Sequence, residues 1–108
     1  MNTDQRRILL GYYEAIGRVS QLMLHAATRR DWKALEHAHT CCEELIRCIQ
    51  ETGLTPEGLD DAGRKRRMEI LRQILADDAR IRDIAHPSVG RLGTMLGLRP
   101  VTALERCL

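Results

Sequence analysis

The sequence predicts an all-α protein, an antiparallel helical bundle of three long helices followed by a short C-terminal helix. Three observations predict it. The composition favours helix over strand: aromatics are 3% of the 108 residues, there is no Phe, and the chain draws instead on Leu, Ala, Arg, Glu, Ile and Met. Apolar residues recur at steps of three and four. Helix-breaking signals fall at three places, around Arg29–Asp31, between Glu51 and Gly63, and at His86-Pro87. The length fits a single domain, 1–108, and a hydrophobic fraction of 44% suits a packed core.

The first helix runs from about Asp4 to Arg29, capped by Asn2 or Thr3. Its apolar stripe is Leu9, Tyr12, Tyr13, Ile16, Val19, Met23 and Ala27. Gly11 and Gly17 interrupt it, which predicts that another helix passes close at both. Tyr12 and Tyr13 are adjacent, so one faces the core and the other is left for a partner. Asp31 caps a second helix reaching about Gln50, whose stripe is Leu35, Ala38, Cys42, Leu45, Ile46 and Ile49. Glu43 and Arg47 are spaced to pair on its outside. Trp32 is expected to pack the turn as a core anchor. The short link folds residues 1–50 into a hairpin.

Gly53, Gly58, Gly63 and Pro56 then break the pattern. Thr55-Pro56 signals a helix start, with Gly58 and Gly63 weakening its first turns. The long third helix is placed at 56–86, about 45 Å at 1.5 Å per residue. Its apolar residues, Met68, Ile70, Leu71, Ile74, Leu75, Ile81 and Ile84, cover a face wider than one neighbour needs. A second copy closing that face, as a homodimer, is one way to cover it. Asp78 falls among these isoleucines. Either Arg82 or a neighbouring helix satisfies it, or it anchors a partner's polar group at a groove edge. The segment 87–108 holds a short helix, Ser88–Leu96, and a tail that Gly97 and Pro100 set apart.

Signs of chemistry are sparse. His37 and Cys41, four residues apart, make half of a metal site, and Glu36-x-x-His39 occurs once. No metal or cofactor is expected. Phosphate-binding glycine motifs are absent, and Ser20 and Ser88 lack a recognised base, so no enzyme is expected. Cys41, Cys42, Cys48 and Cys107 form no C-x-x-C and read as reduced thiols. No apolar run reaches the ~20 residues a membrane helix needs, and MNTDQRR has no signal core, so the cytoplasm is expected. Net charge is +2, too balanced to imply nucleic acid. The basic run Arg64, Lys65, Arg66, Arg67 is either a solvated helix face or the footprint of a small nucleic-acid-associated protein.

Two segments resemble the FliT family of flagellar export chaperones. The first carries Tyr13, Glu14, Ile16, Ser20, Met23, Leu24, Ala26 and Ala27, then Asp31, Trp32 and Leu35. The second carries Ile74, Leu75, Asp77, Asp78, Ile81 and Arg82, then Pro87 and Leu92. The resemblance implies a cytoplasmic chaperone that binds the C-terminal region of the filament-cap protein (FliD-like), blocks premature assembly and delivers it to the export ATPase complex. Some members of the family also inhibit the flagellar master transcription regulator. A regulatory C-terminal helix in that family suggests a mask, placed here on Leu92, Met95 and Leu96. Partner contacts are placed on Ile70, Ile74, Asp78, Ile81 and Ile84, since an amphipathic helix laid in an apolar groove reads such a face.

Overall fold

A computed structural model describes residues 1–85; it contains three α-helices, one 3-10 turn and, among the described residues, no strand. Helix α1, Thr3–Thr28, opens on a capping box: Asn2 accepts from the Gln5 backbone N–H at 2.8 Å, and the Gln5 side chain accepts from the Asn2 N–H at 3.0 Å. It closes with Arg30 in the left-handed region, φ 59°, where the Arg30 N–H donates to the Ala27 carbonyl and the Asp31 N–H to that of Ala26. Asp31 then caps α2, Trp32–Thr52, accepting from the Ala34 N–H at 3.1 Å. Gly53, at φ 69°, ends α2.

The third helix is shorter at its start than the proline signal predicted. Pro56–Gly58 forms a separate 3-10 turn, and α3 spans Asp61–Ala85. Asp60, rather than Thr55, supplies the cap: its side chain accepts from the Gly63 N–H at 2.8 Å, and its carbonyl from the Arg64 N–H. The linker is not passive, because Leu59 is buried in the core and Leu54 packs against it.

Helix α1 is the common wall. Both α2 and α3 pack along it, while α2 and α3 meet each other only marginally. The pairs between α1 and α3 advance in one direction: Arg6 with Asp60, Glu14 with Arg66, Gly17 with Gln73, Ser20 with Asp77. Helix α3 therefore lies parallel to α1. Helix α2 brings the chain back along α1, with Cys42 against Met23, and the link 53–60 turns it into α3.

The core is one cluster. Leu9, Tyr13, Ile16, Met23 and Ala27 of α1 meet Cys42 and Ile46 of α2, and Ile70, Leu71, Ile74 and Ile81 of α3. Two expectations fail here. Trp32 is 44% exposed, because it stands in the first turn of α2, outside the core cluster. At Gly17 α3 does pass close, with Ile70 Cγ2 3.4 Å from where a Cβ would stand, but at Gly11 nothing lies within 4 Å.

Cys42 shows what burial does to a side chain. It is fully buried, its thiol donates to Met23 Sδ at 3.8 Å, and burial, with Cys41 and Glu43 adding to it, pushes the thiol from 9.0 up to about 12. Neighbouring Cys41 is exposed. Peptide mapping after brief alkylation at pH 8 should find Cys41 modified and Cys42 modified about a hundredfold more slowly, until denaturant is added. The raised value also makes the fold lose stability as pH climbs from 9.0 towards about 12, where only the unfolded chain ionises this thiol.

Candidate partner-binding surface

Helix α3 has two apolar flanks, and they have different fates. The flank turned to α1 is closed: Ile70 is 3% exposed, Ile74 1% and Ile81 7%. Four of the five residues expected to touch a partner, Ile70, Ile74, Asp78 and Ile81, are thus interior in this structure, and Ile84 is half-buried. This burial has a simple cause. A wide apolar face offers more than one stripe, and the stripe with the most β-branched bulk was taken by α1. What α3 leaves to solvent is the next stripe, Met68 at 45% and Leu75 at 44% exposure, seven residues apart and so on one side of the helix.

Polar side chains set into the α1–α3 seam hold it in place. Ser20 is fully buried and donates its hydroxyl to Asp77 Oδ2 at 3.0 Å. Gln73 donates through Nε2 to the same oxygen at 2.9 Å and to the Gly17 carbonyl at 3.1 Å. Asp77 thereby accepts two hydrogen bonds from different helices, as a buried carboxylate requires. Asp78 is 1% exposed, and Arg82 Nε lies 3.5 Å from its Oδ2, which matches the expectation that Arg82 serves it. The sequence offered no sign of Ser20 or Gln73 as interior partners, since Ser20 and Asp77 stand 57 residues apart.

The basic run is largely committed to its own chain. Arg66 bridges Glu14 at 3.2 Å and Glu69 at 3.4 Å, and these hydrogen bonds hold its guanidinium firmly charged. Arg67 sits 5.1 Å over the Tyr13 ring, and Arg64 donates to the Glu57 carbonyl at 3.0 Å. Three of the four cations in this row, Arg64, Arg66 and Arg67, thus have a contact within the chain. On α2, Glu43 pairs with His39 at 2.9 Å, where the spacing predicted Arg47 as its partner. No three His, Cys, Asp or Glu side chains among the described residues are placed to hold a metal ion, so His37 and Cys41 remain a pair. No described helix is long and apolar enough to cross a membrane.

The family model described as "Flagellar protein FliT" matches residues 10–98. The chain belongs to the FliT family. That match runs through α1, α2 and α3, including the polar seam and the exposed Met68 and Leu75. FliT-family membership makes the chain a chaperone of flagellar biogenesis, built here as a helical bundle. Neither curated proteins nor solved structures gave a match. Leu92, Met95 and Leu96, the expected mask, lie outside the described residues, as do the short C-terminal helix, the tail and Cys107.

Proposed function

We propose that this FliT-family chain is a cytoplasmic export chaperone that binds the C-terminal region of the filament-cap protein (FliD-like), prevents its premature assembly and passes it to the export ATPase complex. The flagellar master transcription regulator is a second partner on the same reading. The observation that carries the proposal is the family match over residues 10–98, on a chain whose third helix keeps Met68 and Leu75 in solvent. Exposed apolar side chains in one row are what a client helix can cover.

Within that reading the expected contact residues divide by role. Ile84 meets the client, while Ile70, Ile74, Asp78 and Ile81 hold α3 in position from behind; Met68 and Leu75, not among the expected residues, join Ile84 on the client surface. Leu92, Met95 and Leu96 compete for the same surface, so removing them strengthens client binding by whatever the mask had cost. Calorimetry with a peptide from the cap protein's C-terminal region tests both parts. Leu75→Arg should weaken binding at least tenfold, about 1.4 kcal/mol, with an unchanged circular dichroism spectrum. A chain in which Leu92, Met95 and Leu96 are all Ser should bind more tightly than the native one. Unchanged affinity in Leu75→Arg would remove α3 as the docking helix.

A further inference from the structure

Arg67 is the member of the basic run that turns inward. It lies three, four and seven residues before Ile70, Leu71 and Ile74, so it opens the buried face of α3, and it is itself half-buried. Its guanidinium sits over the buried ring of Tyr13, 5.1 Å from the centroid, and that contact orients the head group. Yet its Nε is buried and meets no acceptor among the described residues. A buried N–H left without an acceptor costs free energy and is rare in folded proteins. The neighbouring arginines differ: Arg64 donates to the Glu57 carbonyl, and Arg66 donates through Nε to Glu14. The edge formed by Nε and an adjacent Nη is the one that takes a planar carboxylate through two parallel hydrogen bonds. Its place on α3 suits a ligand that arrives along the exposed row. Met68 follows Arg67 by one residue, about 100° round the helix, and Arg66, which ties α3 to α1, precedes it by the same angle. Arg67 thus stands at the border between the closed seam and the open row.

We propose that Arg67 is a carboxylate-binding site, its Nε edge closing on an Asp or Glu side chain, or on the chain-end carboxylate, of the client segment that covers Met68 and Leu75. The inference rests on the client reading of α3 and adds to it the chemistry of one client residue. Tyr13 holds the guanidinium ready, so little side-chain freedom is lost on binding. Half-burial shields the pair from water, which makes it stronger than an exposed ion pair. The contact is also selective. An Asn or Gln carboxamide has the same shape, but its NH2 group would face the donors of the fork.

Calorimetry of the full chain with a peptide that ends at the cap protein's C-terminus tests this through two sets of variants. In the peptide, each Asp and Glu is replaced in turn by Asn or Gln, and the end carboxylate by an amide. One replacement should weaken binding to the native chain about tenfold or more, and its position tells a side-chain source from the chain end. In the chain, Arg67→Met keeps an unbranched stem and a favourable contact with the Tyr13 ring while removing the stranded N–H. Its melting temperature should hold or rise while affinity falls about tenfold or more. Arg67→Lys keeps the charge but not the fork, and should bind within about twofold of Arg67→Met. The peptide replacement that weakens native binding should change nothing in Arg67→Met, because the two partners act as one pair. Equal binding by every peptide variant overturns the carboxylate contact and leaves the client reading standing. Native affinity in Arg67→Lys also overturns it, as does an Arg67→Met chain that melts lower and binds as before, the mark of a purely structural arginine. A native peptide that does not bind at all overturns the client reading and this inference with it.

Discussion

Ile74→Ala should lower the stability of the fold by about 3 kcal/mol, out of a total on the order of 5–15 kcal/mol for a domain of this kind. Ile74 is 1% exposed and sits mid-length in α3 within the core cluster, so truncation removes buried methyl groups and leaves a cavity that rigid helices close only in part. The melting midpoint should fall by about 10–20 °C, and urea denaturation should show an earlier midpoint with an unchanged slope. Leu75→Ala, one residue on but 44% exposed, should change stability by under about 0.5 kcal/mol. The pair separates the two roles on α3. Ile74→Ala should affect client binding only in proportion to the fraction unfolded, whereas Leu75→Ala should affect binding with the fold intact. Equal stability losses at the two positions would contradict the closed and open flanks of this helix.

Asp77→Ala should cost about 2–3 kcal/mol, more than a surface carboxylate ever contributes. Removing it strands the Ser20 hydroxyl, which is fully buried, while Gln73 keeps the Gly17 carbonyl as a partner. Ser20→Ala should cost only about 1 kcal/mol, because Asp77 still accepts from Gln73. The double variant should then lose less than the two single losses added together, by about 1 kcal/mol, since the stranded hydroxyl is gone. Chemical denaturation of the four proteins gives the cycle. Strict additivity would mean that Ser20 and Asp77 do not act on each other. The physical role of the cluster is registry. Apolar contacts along two parallel helices tolerate a slip of one turn, but a slipped α3 would strand the buried Ser20 hydroxyl and part Gln73 from the Gly17 carbonyl, leaving only the Gln73–Asp77 bond within α3.

Local features of the fold were legible from local chemistry. Asn2 and Asp31 are short polar side chains just ahead of periodic runs, and both cap as expected. The tight link at Arg29–Asp31 leaves the chain no option but to turn. The stripe of α2 was legible because α2 packs chiefly on α1, whereas α1 meets both other helices and also buries Gly17, Ser20 and Ala26, which apolar spacing does not mark. Harder were features set by the third dimension. Thr55-Pro56 has the chemistry of a helix start, but Asp60 caps a better one five residues on. That α3 packs chiefly on α1 depends on where the link 53–60 delivers the chain, which periodicity does not encode. The candidate site suffered the same limit. The width of the apolar face on α3 was visible in its spacing, but which half α1 would cover was decided by fit, at Gly17 above all, where the absence of a side chain lets Ile70 and Gln73 come near. Trp32 misled because aromatic bulk usually seeks the interior.

The central position of α1 has a thermodynamic consequence. With α2 and α3 each resting on α1 and scarcely on each other, the free energy of the described bundle divides into two terms that share one helix. Losses from a defect on the α2 side and one on the α3 side should simply sum, as they do in stacked repeats where each unit answers only to its neighbour. Under the proposed chaperone role, such a division keeps the cost of disturbing one wall separate from the cost of unfolding.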